Sequence, residues 1–263
     1  MLTKRNKLTQ AMLLLAVFVI VVVIWQVCVS LFKPVTVPSP GKIAISMVKL
    51  LHNYAFLKDI CITAQETVWG YLVSIVIAVF FGVLISQFRI LELSLLPYVI
   101  AFQTLPSIAL APIYLSWFGY GMASKIAVVV TIACFPIMIN VIAGLQATNV
   151  EQIQMLRAFG ATRFQILVKV KIPNALPHFF TGLKLGIVMS LTGAIVAEFI
   201  NSQAGLGACI LQYYHDMQIA DMFAVLVILA VLGVLAHGLI SWLKRKIVFW
   251  DSEADADGAV RVC

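Results

Sequence analysis

The stretch NVEQIQMLRAFGATRFQILVKVKIPNALP, residues 149–177, is the longest polar interruption between two strongly apolar segments of the chain. It contains one acidic residue, Glu151, and four basic ones, Arg157, Arg163, Lys169 and Lys171. Its apolar residues recur at helical spacing, which predicts ordered structure for this stretch. Two short helices joined at a glycine and anchored between membrane spans would form a protruding surface to which another protein could bind.

Local signals place the ends of the two predicted helices. Asn149 is a good N-cap for the first helix, and Gly160 can adopt the positive φ that ends it. Thr162 and Gln165 form a T-x-x-Q capping box that starts the second helix. This pattern predicts a helix, a glycine hinge and a second helix in direct succession.

The apolar side of the first helix consists of Ile153, Leu156 and Phe159. Phe159 is a candidate anchor for a partner, and the alternative is that it packs against the core of its own protein. Pro173 and Pro177 are expected to close the second helix and to turn the chain into the next span. From periodicity alone, an ordinary amphipathic loop folded onto its own protein remains an equally open interpretation.

The composition places the rest of the chain in a lipid bilayer. Of 263 residues, 62% are hydrophobic and only 11% are charged, and the mean hydropathy is +1.05. Soluble domains carry about 25% charged residues. The net charge of +7 fits the collection of Lys and Arg in cytoplasmic loops of membrane proteins. Because no nucleic-acid-binding motif accompanies that charge, nucleic acid is not an expected partner, whereas membrane lipids are.

We therefore predict an all-α membrane protein with one transmembrane domain over residues 1–250. Its six predicted spans are residues 11–32, 64–86, 93–115, 124–145, 179–200 and 222–243, each about 20 residues long. Residues 42–59 are too polar to span and predict a short amphipathic helix on the outer membrane face. The tail, residues 251–263, has four acids and no apolar periodicity, which is typical of disorder.

The distribution of Lys and Arg predicts the orientation. With both termini in the cytoplasm, the basic residues concentrate in the cytoplasmic segments, as the positive-inside rule requires. The 149–177 loop then also lies in the cytoplasm.

Polar residues inside two predicted spans are candidates for a translocation path. The third span carries Gln103, Thr104 and Ser107 among its prolines, and the fourth carries Pro136 and Asn140 on one face. Polar side chains at membrane depth usually face protein or a cavity. The alternative is a kinked helix whose polar groups are satisfied by its neighbours.

Charged and small residues in the later spans also carry information. Glu198, a further candidate for the path, is placed near the outer interface, where it either orders an outer gate or sits among headgroups. Glycines along the fifth span favour close helix packing over substrate contact. No strong anion- or cation-binding cluster is visible along the sequence of the spans.

The chain resembles the permease subunits of bacterial ATP-binding-cassette importers. Gly160 matches the glycine of their E-A-A-x3-G-x9-I-x-L-P signature, and Val170, Ile172 and Pro173 stand at the I-x-L-P spacing. The sequence departs at the first corner, where residues 154–156 read QML in place of E-A-A. LPSIALAPIYLSWFGYGMASK (105–125) and AEFINSQAGLG (197–207) resemble the nitrate/sulfonate/taurine-type branch.

This resemblance implies that the 149–177 loop couples to a separate ATPase. The coupling residues it implies are Glu151, Leu156, Arg157, Ala158, Phe159, Gly160, Ala161, Arg163 and Pro173. The sequence contains no P-loop and no catalytic constellation, so we expect this chain not to be an enzyme and to carry no cofactor or metal of its own. ATP and Mg²⁺ would be held by the partner ATPase.

The resemblance also implies partners and a location. We expect a multi-pass protein of the bacterial inner membrane that works as a permease pair, usually a homodimer, with an ATPase pair. A periplasmic or lipid-anchored solute-binding protein would deliver nitrate, a sulfonate, taurine or a pyrimidine precursor. An autonomous secondary transporter or channel is the alternative, but it leaves the polar loop without a role, as does a non-transporting scaffold.

Overall fold

The computed structural model describes residues 2–32, 36–201 and 203–250, and the regular elements there are all helical. The helices are α1 (Leu2–Phe32), α2 (Pro40–Leu51), α3 (Tyr54–Gln87), α4 (Arg89–Gln103), α5 (Ser107–Phe118), α6 (Met122–Gln146), α7 (Val150–Ala158), α8 (Arg163–Ile166), α9 (Ile172–Asn201), α10 (Leu206–His215) and α11 (Ile219–Ile247). The all-α prediction is confirmed. The predicted acidic tail, residues 251–263, lies outside the described residues.

Among the described residues, four helices are long and apolar enough to cross a membrane: Tyr54–Gln87, Met122–Gln146, Arg163–Ile200 and Ile219–Ile247. They contain the second, fourth, fifth and sixth predicted spans. The first predicted span, 11–32, falls on α1, where Leu15–Leu31 forms a shorter apolar helix. Many large apolar side chains remain exposed along these helices, as expected where lipid replaces water.

The third predicted span, 93–115, is wrong as a single straight helix. The chain instead forms α4 and α5, and Arg89–Gln103 and Ile108–Phe118 diverge by 99°. Counting this bent pair as one broken span gives five candidate crossings. Pro106 explains the break, because it disfavours helical backbone at the residue before it and cannot donate a helix hydrogen bond.

The predicted amphipathic helix over 42–59 is too long. Helix α2 ends at Leu51, and α3 begins at Tyr54. The side chain of Asn53 accepts a hydrogen bond from the backbone N–H of Ala55 at 3.0 Å. This Asx-type cap starts a new helix, so residues 54–59 belong to the second span.

The chain divides into two compact units, and the smaller contains Met1–Asp59 and Cys209–Leu229. Within it, the rings of Trp25 and Phe223 lie 6.4 Å apart, so α1 packs against α11. Phe56 is almost fully buried.

The larger unit contains Ile60–Ala208 and Ala230–Cys263, and α3, α6 and α9 form its core. Gly70 lies against Val129, and Gly82 lies against Val141 the same distance further along both helices, so α3 and α6 run parallel. Along α9, in contrast, successive glycines meet α6 residues of decreasing number, which makes that pair antiparallel.

Glycines bring α6 and α9 into close contact. A Cβ added at Gly182 would lie 2.8 Å from the Cβ of Asn140, and one at Gly193 would lie 3.0 Å from the Cα of Val129. The predicted packing role of the α9 glycines is therefore confirmed. The close α6–α9 pair therefore holds the end of α6 beside the start of α9.

Candidate functional site

The 149–177 loop connects the end of α6 to the start of α9, and its first half is helix α7. Asn149 is the N-cap, and its side chain accepts a hydrogen bond from the N–H of Glu151 at 2.8 Å. Gly160 has φ +79°. Both local predictions, the asparagine cap and the glycine hinge, are confirmed.

Helix α7 ends in a complete Schellman motif. The N–H of Ala161 donates to the carbonyl of Leu156 at 3.0 Å, and the N–H of Gly160 donates to the carbonyl of Arg157 at 3.0 Å. These two hydrogen bonds satisfy carbonyls that a helix end otherwise leaves open. The hinge is therefore a hydrogen-bonded turn of defined type.

The second short helix begins as predicted. Thr162 and Gln165 form a reciprocal capping box, with N···O distances of 2.8 and 3.3 Å. Helix α8 then runs without interruption through a π-helical turn, Leu167–Lys171, into α9.

The prediction that Pro173 and Pro177 close this helix is wrong. Pro173 is the second residue of α9, just after the π turn, and Pro177 lies further inside α9. A proline removes one backbone donor and crowds the carbonyl four residues earlier, and a local π-type widening relieves both effects. The hinge is thus joined to the membrane-spanning helix by one continuous helical rod.

The loop exposes large apolar side chains. The exposed fraction is 82% for Phe159, 72% for Phe164 and 55% for Met155. Leu156 is half-buried, and Ile166 is buried. Phe159 therefore does not pack against the core of its own unit. Of the two alternatives for this residue, its exposure favours the one in which it is available to a partner.

A polar contact links the two halves of the loop. The side-chain amide of Asn174 donates to Gln152 at 3.4 Å, so α7 is tied to the base of α9. The remaining predicted coupling residues Glu151, Arg157, Ala158, Arg163 and Pro173 lie on the same short segment, and all but the half-buried Pro173 are exposed.

The residues predicted for a path in the third span collect at the break between α4 and α5. Gln103 ends α4, and Thr104 caps it by donating to the carbonyl of Ala101 at 2.7 Å. Ser107 begins α5. The third-span candidates therefore mark a bend in the chain and do not line a continuous helix.

Asn140 has a local structural role in α6. Its amide donates to the carbonyl of Pro136 at 2.8 Å, and its Cβ lies where α6 approaches Gly182 of α9 most closely. The structure thus favours the alternative of a kinked helix satisfied by its surroundings for this pair.

Glu198 is fully buried near the end of α9, so it does not sit among headgroups. Its carboxylate accepts hydrogen bonds from the hydroxyl of Thr63 and the N–H of Gly207, both at 2.6 Å. The N–H of Leu206 in turn donates to the Thr63 hydroxyl at 2.9 Å. Glu198 therefore clamps the start of α10 against α3 and α9.

A buried ion pair lies beside this clamp. The ammonium of Lys125 is 2.6 Å from the Glu66 carboxylate, and their side chains are 11% and 3% exposed. Both residues also interact electrostatically with Glu198. Together with Thr63 and Glu198 they form the acid–lysine cluster, which borders an open depression of about 820 Å³.

Sequence reasoning found Glu198 but missed its partners. Glu66 and Lys125 stand within two residues of the predicted starts of their spans, where a charge is unremarkable. The available signal was an acid and a base at the corresponding ends of two otherwise apolar helices. The cluster and the 149–177 loop lie at opposite ends of the α6–α9 pair, about 30 Å apart along α6.

A family described as the binding-protein-dependent transport system inner membrane component matches residues 71–249. The formylaminopyrimidine transport permease protein ThiX of Halalkalibacterium halodurans is 32% identical over 89% of this chain and 93% of its own length. The riboflavin transport system permease protein RibX of Chloroflexus aurantiacus is 31% identical over 89% of this chain and 88% of its own. The putative aliphatic sulfonates transport permease protein SsuC of Bacillus subtilis is 28% identical over 88% and 84%.

An inward-facing structure of the MetNI methionine ABC transporter shares the fold. A chain of it is 23% identical, with a TM-score of 0.64, and the match covers 73% of this chain and 96% of that chain. The resemblance stated from the sequence is confirmed. The chain belongs to the family of inner membrane components of binding-protein-dependent transport systems, the permeases of ATP-binding-cassette importers.

Proposed function

We propose that the 149–177 loop is the element through which a separate ATPase drives this permease. The observation that carries the proposal is the exposed Phe159 beside a Schellman turn. A large apolar side chain on a fixed backbone loses little conformational freedom on binding, and such residues dominate binding energy at interfaces.

The continuous helix from the hinge supports transmission of movement. Because α8, the π turn and α9 form one rod, a displacement at Gly160 would be passed to the span that carries Glu198 at its far end. A flexible loop between two separate helices would absorb such a displacement and would not pass it to the next span. The direct connection therefore favours the loop as a coupling element.

The charges of the loop fit the rim of such an interface. Arg157, Arg163 and Lys169 are all exposed around the apolar residues, and an apolar centre with a polar rim is the usual anatomy of a protein interface. The same positive charges support a cytoplasmic location for the loop. Both termini would then also be cytoplasmic, in the inner membrane.

The complete transporter would contain several chains. ATP-binding-cassette importer permeases work with an ATPase and a solute-binding protein, and we place ATP and Mg²⁺ on that ATPase pair. Five or six spans supply only a small number of helices to surround a translocation pathway. This supports a second permease copy, most simply in a homodimer. The acid–lysine cluster, at the end opposite the loop, would then lie on the side where a periplasmic or lipid-anchored binding protein docks.

The substrate class is a small organic or inorganic solute. The relatives are named for formylaminopyrimidine, riboflavin and aliphatic sulfonates, which supports a pyrimidine precursor, a flavin-sized heterocycle or a small anion such as a sulfonate, taurine or nitrate. Identifying the ligand held by the cognate binding protein separates these classes.

Co-purification from a mild detergent tests the coupling proposal. Replacing Phe159 by Ala removes the most exposed aromatic of the loop, so we expect the permease to insert normally but to retain much less ATPase. Tyr54→Ala is the matched control, because Tyr54 is equally exposed, at 85%, and lies outside the loop. Full ATPase retention by Phe159→Ala, or equal loss in both variants, would contradict the proposal.

A further inference from the structure

Basic residues that are far apart in the sequence meet in one pocket between α9 and α11. The pocket has a volume of about 260 Å³ and is lined by Thr181, Lys184, Leu185, His237, Ser241, Lys244 and Arg245. The α9 residues follow the i, i+3, i+4 spacing of one helix face, as do those of α11 with i, i+4, i+7, i+8. Lys184 belongs to the predicted fifth span, whereas Lys244 and Arg245 follow the predicted sixth span, so the sequence of the spans alone does not show this grouping.

Every charged side chain that lines the pocket is basic. Three cations, one histidine and two hydroxyls surround the pocket, and no acidic side chain among the described residues lines it. Toward an anion, the lysine and guanidinium groups donate charged hydrogen bonds, and the hydroxyl groups donate neutral ones. Arginine and lysine are the usual ligands of phosphate-type groups.

The positive charge is not explained by the helix end alone. Arg245 and Lys244 lie in the last turn of α11, where cations offset the negative end of the helix dipole. Lys184 lies well inside α9 and is only 9% exposed. Ionisable residues within spanning helices are costly and mark functional positions.

Residue types that are common at membrane interfaces surround the pocket. Trp242 is 52% exposed, and the ammonium of Lys246 lies 4.1 Å from the centre of its ring. Tryptophan and basic residues concentrate at membrane interfaces. Leu185 and Leu239 are exposed by 48% and 57%, so apolar surface adjoins the basic pocket.

We propose that this α9–α11 pocket binds a phosphate-type anion, with the headgroup of an anionic phospholipid as the source favoured by its surroundings. The cations would hold the phosphate oxygens, and the exposed leucines would lie along the acyl chains. Basic pockets between spanning helices are known sites for anionic headgroups. A lipid bound there would link α9, the helix that continues from the coupling loop, to α11.

Thermal unfolding of the delipidated full-length chain in nonionic detergent provides the test. Phosphatidylglycerol, phosphatidylcholine and inorganic phosphate are titrated separately at constant ionic strength. We expect phosphatidylglycerol to raise Tm in a saturable manner and phosphatidylcholine to leave it unchanged. If inorganic phosphate alone gives the full shift and phosphatidylglycerol adds nothing, the anion site stands and its source is a free anion.

Adjacent residues supply matched variants. Arg245→Gln removes a pocket cation and should require about tenfold more phosphatidylglycerol for the same shift, as expected for one lost charged hydrogen bond. Lys246→Gln removes an equal charge outside the pocket and should bind as the wild type does. Ser241→Phe fills the pocket without changing the charge and should abolish the effect. Equal weakening by the 245 and 246 variants, or no shift in the wild type with any anion, would overturn the proposal.

Discussion

Gly160 determines the shape of the 149–177 loop because its backbone, and not its surroundings, requires glycine. A Cβ added there would meet nothing within 4 Å, whereas its φ of +79° is one that side chains rarely adopt. The same residue donates one of the two hydrogen bonds of the Schellman motif. Its effect on function should therefore depend on φ and not on side-chain volume.

Substitutions at Gly160 separate these two factors. Valine is β-branched and should cost about 1–2 kcal/mol in the left-handed region, so the turn would reopen and the ATP-driven uptake would fall. Asparagine adopts that region readily and should retain most of the uptake, although its side chain is larger than that of glycine. Uptake measured in cells or proteoliposomes, normalised to inserted protein, gives the comparison. Equal uptake by both variants would rule out the backbone explanation.

At the scale of the elements, the parallel pair α3 and α6 is joined by the Glu66–Lys125 ion pair. Removing one member leaves a buried charge, so Lys125→Met should destabilise the fold by about 3–5 kcal/mol. Replacing both residues, as in Glu66→Leu with Lys125→Met, should recover most of that loss. Thermal unfolding in detergent measures both. A double variant no more stable than Lys125→Met alone would show that the pair does not account for the effect.

The elements also show what a sequence can reveal. Asn149, Gly160 and the Thr162 capping box act through neighbours within five residues, so their roles could be predicted. The uninterrupted passage through Pro173 could not, because a proline reads as a helix end unless the compensating π turn is known. The break between α4 and α5 was likewise hidden, since hydropathy measures apolar length and not direction.

The acid–lysine cluster and the basic pocket were missed for a different reason. Glu66 and Lys125 are 59 residues apart, and Lys184 and Lys244 belong to different helices. Only the parallel and antiparallel registers of the packed helices bring these charges together. Glu198 was visible as a lone acid, but its partner hydroxyl on α3 depends on the same register.

At the scale of the whole molecule, the larger unit carries the 149–177 loop and the acid–lysine cluster at opposite ends of one helix pair. The exposed 149–177 loop adjoins the start of α9, and the Glu198 clamp adjoins its end. If an ATPase binds the loop, as we propose, a movement imposed there has a direct mechanical route along α9 to the Glu198 clamp. The proposed coupling requires the ATPase to contact the loop itself.

Photo-crosslinking tests that contact most directly. A benzophenone side chain in place of Phe159 is irradiated in the assembled transporter, with the same group in place of Tyr54 as the control. We predict a covalent product between the permease and the ATPase from position 159, with a yield that changes when ATP is added. We predict no such product from position 54. The absence of any ATPase product from position 159 in a transporter that still imports its substrate would contradict the account.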